Sequence, residues 1–125
     1  MAIKAIEERG AEHARLMELA RRYVDRVGAR LDIRAAAVAG SVARVDFNLW
    51  SDVDVVIVAE GLPTSAPDRV GLLLEGAPAR VQPIGYSPDE FERERVRRNP
   101  LVAEVIERGI VLHGAEVLRA PARGQ

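Results

Sequence analysis

The sequence predicts a small α/β domain of the α+β type, with a mixed β-sheet backed by helices, and three observations point there. Asp52-Val53-Asp54-Val55-Val56-Ile57-Val58-Ala59 is β-branched at most positions and apolar on both faces after its start, as a central strand is. A second short apolar run, residues 32–39, stops at Gly40-Ser41. Around these two runs lie longer stretches with apolar residues at three-and-four spacing, the periodicity of helices that cover a sheet.

The elements follow in order. Residues 3–31 read as a helix, with Leu16, Leu19, Ala20, Tyr23, Val24, Val27 and Leu31 on one apolar face. Glu12, Arg15, Glu18 and Arg22 are among its expected solvated residues. Residues 32–39 are rich in alanine, but their brevity and the Gly-Ser stop favour a buried strand. Ser41 suits a helix cap, so residues 42–47 predict a short helix, and 48–51 a loop. After the acidic strand come a turn at 61–67 and a helix over 68–75 closed by Gly76. Residues 79–86 predict a strand that, with Pro83 inside it, either lies at an edge or ends early. Ser87-Pro88-Asp89-Glu90 opens a helix to about residue 99, with Ser as the cap and acids in the first turn. Pro100 opens another to Arg108, and Ile110-Val111-Leu112-His113 makes a last short strand or extended segment. The chain reads as one domain over 1–125, with residues 116–125 expected to fray.

Composition limits the function classes. With 125 residues, 48% hydrophobic and 30% charged, the chain can bury a core, so disorder is excluded as a general description. A formal charge of −1 argues against a broad basic field for nucleic acid, though not against a local patch. No cysteine is present, which removes disulfides and thiolate metal sites. No apolar run is long enough to span a bilayer, and Met1-Ala2-Ile3-Lys4 does not open a secretory signal, so the expected location is cytoplasmic and off the membrane.

Chemistry concentrates in residues 40–55. Gly40 leaves room for a phosphate against the backbone, and Ser41 opens a helix whose first N–H groups and hydroxyl favour an anion. Asp52 and Asp54, two apart on an expected strand, project from the same face. Two anions so close repel unless a cation joins them, and hard oxygen ligands of this kind suit Mg²⁺ bridging to substrate phosphates. A phosphate cradle beside a carboxylate pair is what phosphoryl or nucleotidyl transfer needs.

Gly40-Ser41, a gap of ten residues, and Asp52-Val53-Asp54-Val55 together resemble the signature of the polymerase-beta-like nucleotidyltransferase superfamily. The local form Gly-Ser-Val-Ala-Arg with Ser-Asp-Val-Asp is similar to that of the minimal nucleotidyltransferases, often encoded beside helical HEPN proteins as antitoxins. The resemblance implies that Gly40, Ser41 and Arg44 bind the triphosphate, and that Asp52 and Asp54 are catalytic and hold Mg²⁺ in a one- or two-ion site. It further implies transfer of a nucleoside monophosphate, with ATP as donor, to a hydroxyl such as a tyrosine of a HEPN-type partner. The family's third carboxylate falls at Gln82, a neutral and poor metal ligand or base. Its frequent Arg-Gly after the serine is Arg44-Val45 here. The alternative is therefore an antitoxin or nucleotide-binding module that acts by contact without transfer. The chain carries no large second domain, so substrate recognition is expected from a partner or from a homo-oligomer.

The remaining residues have plainer readings. Arg44 is placed for a phosphate or a partner, or equally for a surface salt bridge. Asp46 suits a surface or capping role, and Trp50 suits core packing more than stacking on a base. His13 and His113 read as structural or surface groups, and Glu92 to Arg98 as a solvated helix face with i,i+4 pairing.

Overall fold

The computed structural model describes residues 2–44 and 51–119. Ten elements follow along the chain: α1 (Ala2–Gly28), β1 (Asp32–Ala39), α2 (Gly40–Arg44), β2 (Val53–Glu60), α3 (Ala66–Leu74), β3 (Val81–Tyr86), α4 (Pro88–Val96), α5 (Pro100–Arg108), β4 (Ile110–His113) and α6 (Ala115–Arg119). The four strands make one sheet in the order β3-β2-β1-β4. β1 runs antiparallel to both β2 and β4, while β2 and β3 are parallel. The sheet is mixed and helices cover both faces, as the sequence predicts.

Alternation along the two central strands separates the cores. Val53, Val55, Ile57 and Ala59 of β2, with Ala36 and Val38 of β1, pack on the apolar stripe of α1. Val56 and Val58, with Ala35, Ala37 and Ala39, face Phe91 of α4, Val102 and Val105 of α5 and Leu118 of α6. Alanine is tolerated in β1 because the strand lies inside the sheet with helices on both faces, where small side chains let the layers approach. Pro83 sits on β3 at the sheet edge, where its missing N–H costs no ladder bond.

Helix starts obey local rules. Ser87 and Glu90 form a reciprocal capping box, with Glu90 N–H donating to Ser87 Oγ at 3.1 Å and Ser87 N–H to Glu90 Oε1 at 2.8 Å. Asn99 caps α5 by accepting from the N–H groups of Leu101 and Val102 at 2.9 and 3.3 Å. That second cap is why α4 ends at Val96 rather than near 99: Arg98 turns into the left-handed region, φ 58°, and frees Asn99 for α5.

Four further expectations change. The frayed segment was expected to begin at 116, yet residues 115–119 form α6 with Leu118 in the core; residues 120–125 lie outside the described residues. The cause is Arg95, which donates to the carbonyls of Val117 and Leu118 at 2.8 and 3.3 Å and covers the Phe91 ring at 5.6 Å. The run Glu92 to Arg98 is thus not wholly solvated, and its ion pairs, Arg95–Glu92 and Arg97–Glu94, are spaced i,i+3. Asp52 lies one residue ahead of β2 instead of inside it. The short helix expected over 42–47 starts at Gly40 and is described to Arg44; its remaining residues, Asp46, the 48–50 part of the loop and Trp50 lie outside the described residues.

Candidate functional site

The site forms where β1 ends and β2 begins. Because these strands are antiparallel, Ala39 pairs with Asp54, so Gly40 follows directly beside the Asp54 carboxylate. Gly40 has φ +70°, a conformation that a side chain disfavours, and a Cβ there would overlap Asp54 Oδ2. Glycine is therefore required twice, by the backbone and by the close approach. Ser41 follows, half-buried, at the second position of α2.

Asp54 is half-buried and Asp52 exposed, so the two acids sit in unequal surroundings. Burial pushes the Asp54 carboxyl above the usual range; the negative charges of Asp52 and Glu104 push it the same way, and Arg44 opposes them. Among the described residues, three anions crowd one cation here. Arg44 Nη1 contacts Glu104 Oε1 at 2.6 Å, which ties α2 to α5. A hollow of about 310 Å³, bordered by Arg44 and Glu104, adjoins the site. A larger cavity, about 440 Å³ and lined by Leu31, Ile33 and His113, lies at the opposite end of β1 and has no part in this arrangement.

Gln82 lies on β3 directly across from Asp54, exposed and on the same face. The strand expected to carry a third acid is therefore beside the pair, and it carries an amide. Neither Glu75 nor Glu90 takes its place. Glu75 pairs with Arg30 at 3.3 Å, and Glu90 caps α4 while accepting from Arg69 at 2.8 Å. Among the described residues no cluster of three His, Cys, Asp or Glu side chains is arranged to hold a metal ion. Two carboxylates held close at a crowded anionic point do fit the mode in which Mg²⁺ takes one or two protein oxygens and completes its shell with phosphates and water.

The residues singled out in the sequence, Gly40, Ser41, Arg44, Asp52, Asp54 and Gln82, thus lie around the end of β1 and the start of β2. The structure adds Glu104, sixty positions from Arg44, which no local pattern marks: on α5 it is one charged residue beside an apolar stripe. Only the packing of α5 over β1 delivers it to the site.

No protein-family model and no curated protein matches the chain. A crystal structure from Sulfolobus solfataricus, provisionally described as a nucleotidyltransferase, is similar to it with a TM-score of 0.63 and 21% identity, over 82% of this chain and 84% of that one. The chain shares the fold of that protein. No helix among the described residues is long and apolar enough to cross a membrane.

Proposed function

We propose that this protein is a minimal nucleotidyltransferase that moves a nucleoside monophosphate from a nucleoside triphosphate to an acceptor hydroxyl, releasing pyrophosphate. The observation that carries the reading is the side-chain-free Gly40 turn against Asp54, with Asp52 two residues away. Asp52 and Asp54 would hold Mg²⁺, which, when bound, offsets charge that develops on the transferring phosphate. Gly40 gives the triphosphate access to the backbone, Ser41 offers a hydroxyl, and Arg44 can exchange Glu104 for a phosphate oxygen. ATP as donor and a tyrosine hydroxyl of a HEPN-type helical partner as acceptor are the finer reading, supported by the sequence resemblance.

A second reading, an antitoxin or nucleotide-binding module acting by contact, is favoured by Gln82. An amide can accept a hydrogen bond but does not take the acceptor's proton at neutral pH. Incubation with labelled ATP, Mg²⁺ and a co-encoded helical protein separates the two. The enzyme reading expects label on the partner, lost in Asp52→Ala and Asp54→Ala. Tight partner binding that both substitutions leave intact, with no label transferred by the native protein, would sink it.

A further inference from the structure

Asp52 has a demanding position. β1 pairing reaches Asp54 but no further, and β2 starts at Val53, so Asp52 stands outside the sheet ladder. In the metal-free protein it also faces repulsion from Asp54. Without a tether, the backbone at 52 would drift and a metal would have to gather its ligands on binding.

Arg80 supplies a grip on both sides of that residue. Its Nε and Nη2 both donate to the Ser51 carbonyl, at 3.3 and 2.8 Å. Its own carbonyl accepts from the Val53 N–H at 2.7 Å. The remaining arm, Nη1, donates to Glu12 Oε1 of α1 at 2.6 Å. Glu12 is itself held, with Oε2 accepting from Arg15 Nη2 at 2.6 Å and Nε at 3.0 Å. Hydrogen bonds from Arg15 and Arg80 keep the Glu12 carboxyl below the usual carboxylate range, so the brace stays charged. The Glu12 side chain is only 14% exposed, although its place in α1 reads as solvated in the sequence. A lysine could not span both acceptors with one planar fork.

We propose that Arg80, braced by Glu12, is a positioning residue for the metal site, fixing the chain on either side of Asp52 so that its carboxylate is ready to bind beside Asp54. The inference rests on the reading of Asp52 and Asp54 as metal ligands. Groups that orient ligands from behind typically govern metal affinity by about 10–100-fold.

Two measurements on the full chain test it: Mn²⁺ binding, followed by loss of the free ion's electron paramagnetic resonance signal, and ¹⁵N relaxation of the metal-free protein. Arg80→Ala is expected to weaken Mn²⁺ binding about tenfold and to lower the order parameter at Asp52 from about 0.85 towards about 0.6. Arg80→Lys should recover part of both, and Glu12→Gln should show a smaller loss of both. A purely structural role would lower Tm and leave Mn²⁺ affinity unchanged. A folded Arg80→Ala protein with native Mn²⁺ affinity and a native Asp52 order parameter overturns the proposal. If that variant does not fold, Glu12→Gln decides by the same two readouts. A native protein that binds no Mn²⁺ defeats the metal-ligand reading instead, and the Asp52 order parameter then decides the tether by itself.

Discussion

Gly40→Ala perturbs the site at its tightest point, and its cost can be built from two parts. At φ +70° an alanine pays about 1–2 kcal/mol for the left-handed backbone. Its Cβ would overlap Asp54 Oδ2, so the carboxylate must leave its rotamer, at about 0.5–1.5 kcal/mol. Against these stands a gain of about 0.4–1 kcal/mol, because alanine stiffens the unfolded chain. The net is a loss of about 2 kcal/mol, and with the entropy of unfolding scaled to this chain length, a Tm lower by about 8 °C. Asp54→Ala removes the overlapped oxygen. In that background Gly40→Ala should cost only the backbone share, about 1 kcal/mol. A double-mutant cycle by thermal or urea unfolding should therefore return a coupling of about 1 kcal/mol between the two positions. Equal costs of Gly40→Ala in both backgrounds would refute the close approach, and a stabilised Gly40→Ala protein would refute the left-handed turn.

Asp54→Asn tests the electrostatics. Burial and the charges of Asp52 and Glu104 raise the folded pKa of Asp54, so between the ordinary Asp range and that raised value the folded state holds more protons than the unfolded one. Stability contributed by Asp54 is present below the window and lost as pH rises through it. With chelator present at pH 7, Asp54→Asn should raise Tm by a few degrees and flatten the acid-side slope; a lower Tm with an unchanged slope rejects this account. Gln82→Asp would place a carboxylate one strand over from Asp54, about 5 Å away, at a repulsive cost of roughly 1 kcal/mol where solvent reaches. It should lower metal-free Tm and tighten Mn²⁺ binding. Unchanged Mn²⁺ affinity would place Gln82 outside the metal's reach.

Most of the fold is legible because its rules are local. Strand β2 declares itself by an unbroken β-branched run, α4 by a capping residue followed by proline at Ser87-Pro88, and α5 by Pro100, whereas the Asn99 cap that shortens α4 emerges only in the structure. Pro83 marks β3 as either an edge strand or one that ends early, and the sheet order decides for the edge. Helix α6 is not legible in this way. Five residues are too few for a periodic signal, and the helix is held by Arg95 from more than twenty positions away. Asp52 moves out of the strand for a related reason: pattern alone cannot say at which residue a ladder starts, and here Val53 is the first to pair. The candidate site divides similarly. Gly40, Ser41, Asp52 and Asp54 stand in one short stretch with a telling spacing. Glu104 and Arg80 reach it only through the sheet order and the packing of α5 and α1.

The charge arrangement bears on what could bind. Among the described residues around Asp54 the electrostatic balance is three acids against one arginine, and that arginine is already engaged by Glu104. A bare divalent cation would relieve the acids but leave Arg44 where it is. A bare triphosphate would draw Arg44 away from Glu104 and set its own charges against Asp52 and Asp54. A metal–triphosphate complex satisfies both halves at once, because the cation meets the carboxylates while the phosphates take the arginine. The site should therefore bind the two together more tightly than the product of their separate affinities. Glu104→Gln, by loosening its hold on Arg44, should favour the free nucleotide more than the metal. Gln82, being neutral, does not enter this balance.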